Sequence, residues 1–254
     1  DAAAAVAEVR AVHALIGAAA PAAVLEAELV KWRLMSGEPG VSAPRGQSDD
    51  VHAGVRVGSA VIGAMVASLD GGYDEARAEV DAGLAALAGT TVPPPHSESL
   101  LRLSEFLALV FDGRLAEADA LVTLRRDRAA LAADPELGMW EYAAAELALH
   151  TGRTSLAAQL VYRAVRHLAW RDFTGLRPTA LALAAAAQAR LGRGRRSEWP
   201  SDAERADVKV ELPLARAEAD LDRAADAEAL LAAARRARSE MHGNLALLAA
   251  DDAW

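Results

Sequence analysis

Amphipathic segments of about fifteen residues alternate with short glycine-containing breaks along most of the chain. The breaks fall at Gly71, Gly113, Gly152 and Gly192, at intervals of 42, 39 and 40 residues. After each of the first three glycines, an alanine stands five residues further on. A fixed period near 40 residues predicts stacked helix pairs rather than a single closed core.

Each break predicts the turn of a helix hairpin. A glycine that ends a helix can adopt the left-handed conformation, which satisfies the last carbonyl groups of that helix. The alanines that follow are Ala76, Ala118 and Ala157, and we expect them to be buried where the partner helix comes closest. A bulkier side chain there would cost roughly 1–3 kcal/mol through overpacking.

The pattern predicts an all-α fold, specifically a superhelix of stacked antiparallel helix pairs. The first helices of the regular part are predicted at about 51–69, 97–111, 136–150 and 177–191. Their partners are predicted at about 73–88, 115–131 and 154–170. We expect the first helices to line one surface of the array.

Less regular segments flank this part of the chain. Further pairs are predicted at 2–16 with 21–35 and at 208–222 with 225–241, and a last helix from Asn244. Polar segments rich in Gly, Pro or Arg at 36–50 and 193–206 are candidate mobile loops. Near 193–206 the period fails, so that either one helix is degenerate or residues are absent. The prediction is a single helical-repeat domain over 1–254, with about five to six pairs.

The composition agrees with a folded helical protein. The 254 residues are 53% hydrophobic but only 4% aromatic, and cysteine is absent. Zero cysteines exclude disulfides and thiolate metal sites, and they favour a cytoplasmic location. No segment approaches the roughly 20 apolar residues of a membrane-spanning helix. The chain begins at Asp1 rather than at a methionine, which indicates a fragment or a trimmed chain.

The net charge of −9 opposes binding to phosphate backbones. Two basic runs, 125–128 and 190–196, are more simply interpreted as solvated helix ends, where cations favour the negative end of the helix dipole. Direct nucleic-acid binding by this segment is therefore not expected.

No catalytic or metal-binding motif stands out. The six histidines never occur at the i, i+4 spacing of a helical metal site, and there is no Gly-x-Ser-x-Gly nucleophile motif. We therefore predict a non-catalytic chain with no catalytic residues, no metal site and no cofactor. An enzyme whose site is assembled across repeats is an alternative that a sequence never excludes.

The strongest candidate binding site lies in the repeat over 136–171. Its proposed ligand-binding residues are Trp140, Tyr142, Tyr162, Arg166 and Trp170. Arg166 and Trp170 are four residues apart and share a helix face. In one interpretation the rings fill gaps that alanines leave between repeats. In the other they form a pocket for a small polar ligand or an acidic peptide.

Five segments share an alanine- and leucine-rich helical pattern: LALVFDGRLAEA at 107–118, AELALHTGR at 145–153, LARAEAD at 214–220, AEALLAAARRAR at 227–238 and LALLAADDAW at 245–254. With these segments the chain resembles tetratricopeptide-like arrays, and more specifically the helical-repeat region of large LuxR-type transcriptional regulators of the kind typified by the maltose regulator in actinobacteria. The resemblance covers roughly 51–254.

The resemblance implies a sensory role. In that family the array lies between a nucleotide-binding region and a C-terminal helix-turn-helix, and it receives the effector or partner that switches the regulator. Here there is no Gly-x-x-x-x-Gly-Lys-Ser/Thr phosphate loop, and no helix-turn-helix follows Trp254. Neither ATP binding nor promoter binding is therefore assigned to this chain.

The expected function is thus effector sensing or protein interaction within a LuxR-type regulator. The expected partners are a protein or a small-molecule effector, with homo-oligomers as a further class and without membrane association. The first alternative is a stand-alone scaffold that binds peptides or partner proteins along its concave face.

Overall fold

A computed structural model of the chain describes residues 53–70, 72–90 and 96–193. It also describes the isolated positions 200, 210, 213–215, 217, 218 and 232. Within these ranges the regular secondary structure is helical and no strand occurs. The predicted helices at 2–16, 21–35 and from Asn244 lie outside the described residues, and so does the predicted helix 225–241 apart from position 232. The same holds for Gly71, for the loop 36–50 and for most of 193–222.

The all-α prediction is confirmed for the described residues, which contain seven helices in their continuous ranges. The helices are α1 Ala53–Asp70, α2 Tyr73–Ala88, α3 Ser97–Phe111, α4 Leu115–Leu131, α5 Leu137–His150, α6 Thr154–Trp170 and α7 Arg177–Arg190. All bounds lie within two residues of the predicted ones. Pro178 stands in the first turn of α7, where its missing N–H costs no helical hydrogen bond.

The chain divides into two compact units, residues 1–108 and 109–254. In the first unit α1 packs along α2. A Cβ atom at Gly83 of α2 would come within 2.9 Å of the Ala60 Cβ in α1 and 2.8 Å of the Leu101 Cδ2 in α3. Glycine at this position therefore lets three helices approach closely. That 1–254 forms a single repeat domain stays a prediction.

In the second unit α5 is the central helix, in contact with α4, α6 and α7. Every residue from Gly138 to Ala145 is buried, and so are Leu147 to Leu149. The expectation that the first helices line a surface is therefore wrong for α5, because three neighbouring helices cover it. α4 and α6 instead bury one face and expose the other.

The glycine-containing helix ends share one backbone geometry. Gly113, Gly152 and Gly192 all have positive φ angles, 77°, 72° and 68°, as predicted for glycines that end helices. The residue after each glycine donates its N–H to the carbonyl five positions back. These bonds are Arg114 to Leu109 (2.8 Å), Arg153 to Ala148 (2.8 Å) and Arg193 to Gln188 (2.9 Å), and the first hairpin has the same bond from Gly72 to Ala67 (2.9 Å). This is the long bond of the Schellman motif.

Each alanine of the pattern lies in the first turn of the second helix, as its fourth residue. Each donates its N–H to the carbonyl four residues back, Ala76 to Gly72 (2.8 Å), Ala118 to Arg114 (3.1 Å) and Ala157 to Arg153 (3.0 Å). All three alanines are fully buried, as predicted. The period of the sequence is therefore a period of the backbone.

Overpacking at one of these alanines should be costly. Ala118→Leu should lower the free energy of unfolding by roughly 1–3 kcal/mol, because the buried methyl group leaves no room for a larger side chain. Ala116→Leu is the matched control, since Ala116 is exposed on the same helix, and it should change stability by less than about 0.5 kcal/mol. Urea denaturation measures both, and equal effects would contradict the assignment.

A carboxyl group lies against α1 at Gly63. A Cβ atom at Gly63 would come within 2.8 Å of the Glu79 Cδ, so the helix surface shields part of this carboxyl from water. The resulting desolvation raises the pKa of Glu79 above its ordinary value of 4.5. Because the folded state holds the proton more tightly than the unfolded chain, the ionised carboxylate opposes folding above its folded pKa.

Replacing Glu79 by Gln should therefore raise the free energy of unfolding at about pH 7. The difference between the variant and the parent should shrink as the pH falls through the folded pKa, and it should vanish below about 4.5, where both states are protonated. Urea denaturation at a series of pH values measures this difference. A difference that does not change with pH would show that charge burial is not its cause.

Candidate functional site

The five predicted ligand-binding residues separate into two groups. On α5, Trp140 is 1% exposed and Tyr142 is 9% exposed, so both are packed in the interior. On α6, Tyr162 is 63% exposed, Trp170 is 78% exposed, and Arg166 is exposed as well. The structure therefore does not bring all five residues to one surface. The packing interpretation fits Trp140 and Tyr142, but it does not fit Trp170.

Tyr162, Arg166 and Trp170 follow one another at four-residue intervals and lie on one face of α6. We call these three residues the α6 outer face. The opposite side of the helix is buried and consists of Ala157, Ala158, Leu160, Val161, Ala164 and Leu168. Two large aromatic side chains thus stand in solvent on a helix that has already buried an apolar face. Exposed aromatic and arginine side chains of this kind are enriched at binding surfaces.

α6 carries basic side chains and no carboxylate. The helix contains Arg163, Arg166 and His167 but no Asp or Glu, and Arg171 follows directly. Within the described part of the chain, Arg166 forms no ion pair, and its guanidinium is available to a ligand. In a protein with a net charge of −9, α6 is a local surface that would attract anionic groups.

A buried carboxylate lies beneath one edge of this helix. Glu141 of α5 is fully buried, its Oε1 contacts the Arg163 Nη2, and its Oε2 lies 3.5 Å from the His167 Nε2. Arg163 and His167 are themselves about half exposed. A buried carboxylate is costly without a cationic partner. Glu141 therefore occupies Arg163 and His167, and Arg166 is left as the unpaired cation of the helix.

Close packing fixes α6 over α5. A Cβ atom at Gly138 would come within 3.0 Å of the His167 Cβ and 3.2 Å of the Leu168 backbone nitrogen. A side chain at this position would push the end of α6 away from α5. Glycine at position 138 therefore lets α6 approach α5 closely at His167, which faces Glu141.

The segment after Trp170 is held by Asp172. Its Oδ1 accepts hydrogen bonds from the backbone N–H groups of Thr174 (3.1 Å) and Leu176 (3.1 Å), and its Oδ2 accepts one from the N–H of Arg177 (2.8 Å). The carboxylate thus ties the end of α6 to the start of α7, as Asp side chains commonly do at turns and helix N-termini.

Sequence reasoning assigned no role to Asp172 and none to Glu141 as a buried ion-pair partner. A signal existed for each of them. Glu141 interrupts the apolar run of α5, and Asp172 stands two residues before a threonine, ahead of a helix that carries proline in its first turn. Neither signal is specific enough to identify the partner groups.

No group of three or more His, Asp or Glu side chains that could hold a metal ion occurs among the described residues. No helix in the same residues combines the length and apolar content needed to cross a membrane. No family model, curated protein or solved structure matches the chain.

The Glu141–Arg163 pair should be detectable because the loss of Arg163 costs stability only while Glu141 carries its carboxylate. Arg163→Ala should lower the free energy of unfolding by about 1–3 kcal/mol, because it leaves a buried carboxylate with His167 alone. In a Glu141→Gln background the same substitution should cost less than about 0.5 kcal/mol.

Arg166→Ala is the matched control for Arg163→Ala, and it should leave the melting temperature nearly unchanged because Arg166 has no ion-pair partner. A double-mutant cycle by urea denaturation measures the coupling between Glu141 and Arg163. Equal costs of Arg163→Ala in the two backgrounds would refute the pairing.

Proposed function

We propose that this chain is the effector-sensing or protein-interaction segment of a larger LuxR-type transcriptional regulator. It acts by binding rather than by catalysis, and its hairpins continue into a tetratricopeptide-like superhelix. Two features support the array: the turn at Gly113 recurs with the same bonds at Gly152, and fully buried alanines follow both. Repeats of this kind stack on their neighbours and form extended binding surfaces.

The observation that carries the binding role is the α6 outer face. An indole, a phenol and a guanidinium together offer stacking, apolar contact area and a cation. Trp, Tyr and Arg dominate the energetics of protein interfaces for these reasons. A guanidinium also binds carboxylate or phosphate groups through two parallel hydrogen bonds. The face therefore suits an anionic or polar ligand, or the acidic surface of a partner protein.

The reading frame around the segment distinguishes the proposal from a stand-alone scaffold. A gene with a phosphate loop upstream and a helix-turn-helix downstream would support the regulator. A short gene that ends near Trp254 and encodes neither element would overturn it and favour the scaffold.

Trp170→Ala tests the role of the face in signalling. In the full-length protein this variant should lower the transcriptional response of a reporter promoter to the inducing signal by about tenfold or more, because an interface anchor of this size contributes 1.4 kcal/mol or more. Its stability should change by less than about 0.5 kcal/mol, since the side chain is exposed.

Leu131→Ala is the matched control. Leu131 is the last residue of α4 as Trp170 is the last residue of α6, and it is 90% exposed. Loss of its side chain removes exposed apolar surface at the corresponding point of the preceding hairpin. A Trp170→Ala variant that responds like the parent, or a Leu131→Ala variant that is equally impaired, would refute the assignment.

A further inference from the structure

The outward faces of α2 and α6 carry opposite charges. The outward carboxylates of α2 are Asp74, Glu75 and Asp81, against the single cation Arg77, and all four residues are exposed, whereas the Glu79 carboxyl lies against α1. α6 contains two arginines and a histidine and no carboxylate. Because each unit presents one of these helices, a single chain carries both halves of a complementary pair.

The two faces also differ in the size of their side chains. On α2 the side opposite the buried Ala76, Val80 and Gly83 is the stripe Asp74, Ala78, Asp81 and Ala85, and all four of these residues are exposed. The small alanine side chains leave a shallow surface on α2, and the neighbouring carboxylates make it negative. The α6 outer face is the reverse, because large rings flank a guanidinium. Rings of this size lie well against alanines, while Arg166 reaches an aspartate.

We propose that the α6 outer face docks on the outward face of α2 of a second copy of this chain. Trp170 and Tyr162 pack against Ala78 and Ala85, and Arg166 pairs with Asp74 or Asp81. Asp81 is available for this exchange because its pairing with Arg77 inside α2 is long, at 3.6 Å, and exposed. This inference rests on the proposed function, because both use the α6 outer face as a binding surface. It adds that the partner is a second copy of the chain.

Such a contact joins two different patches, so it is heterologous. Each chain can therefore offer its α2 to one contact and its α6 outer face to another. A contact made by one helix on each side lies below the roughly 1,200 Å² of stable complexes, so association is weak and reversible. Charge pairs at the rim make it sensitive to salt.

Sedimentation equilibrium of the 254-residue chain tests the proposal, over protein concentrations up to about 1 mM, in about 0.05 M and 0.5 M NaCl. At low salt the average mass should rise with concentration above that of the monomer, and at high salt it should fall back towards the monomer mass. A chain that stays monomeric at every concentration in low salt overturns the proposal.

Substitutions on each face should weaken association by about tenfold or more. Trp170→Ala and Arg166→Glu alter the α6 outer face, and the double variant Asp74→Arg with Asp81→Arg alters α2. Leu131→Ala and Arg128→Glu on α4 are the controls: the first removes exposed apolar surface, and the second makes the same change of charge as Arg166→Glu. Circular dichroism melts verify that each variant folds.

Mixing provides a test that loss of folding cannot imitate. The Arg166→Glu variant carries two acidic faces and the α2 double variant carries two basic faces, so each alone should associate poorly. Mixed in equal amounts, they should associate more strongly than either alone. A mixture that stays as monomeric as its components overturns the pairing. An assembly that stops at two chains and is not weakened by the α2 substitutions overturns it as well.

The failure of this inference is distinguishable from failure of the proposed function. A monomeric chain that binds a polyglutamate peptide, and loses that binding with Trp170→Ala, overturns the second copy as the occupant. It leaves the α6 outer face standing as a site for acidic partners.

Discussion

The structure depends on a left-handed glycine followed five residues later by an alanine that is fully buried. At Gly113 and Gly152 the positive φ angle allows the next N–H to reach back five residues and end the first helix. Four residues after that N–H, in the first turn of the second helix, Ala118 or Ala157 has no exposed surface. The turn thus fixes the face that the second helix buries.

That constraint determines what α6 presents to solvent. Once Ala157 faces inward, the residues at helical spacing from it, among them Ala164 and Leu168, must also face inward. Arg163 and His167 lie at the edge of the helix, above the buried Glu141. The remaining side is the α6 outer face. Its aromatic side chains are therefore exposed because of the turn, and not because the interior lacks space for rings.

The helices could be predicted from the sequence to within two residues because the signals that start and end them are local: Gly113, Gly152 and Gly192 end helices, and Pro178 stands in the first turn of α7. Whether an individual aromatic side chain is buried or exposed could not be predicted. Trp140 and Trp170 belong to the same predicted cluster, yet the first is buried and the second exposed. Periodicity shows which residues share a face, but neighbouring helices decide which faces are covered. α5 is covered by three helices, and this excluded it from any open surface.

The recurring backbone bond is the central claim, and amide hydrogen exchange followed by NMR tests it most directly. The N–H groups of Arg114, Arg153 and Arg193 stand just beyond the helix ends, where an N–H without a partner would exchange at nearly the rate of an unfolded peptide. We predict that all three are protected to a similar extent, as amides within the helices are. Exchange of Arg114 or Arg153 at the unprotected rate would contradict the account.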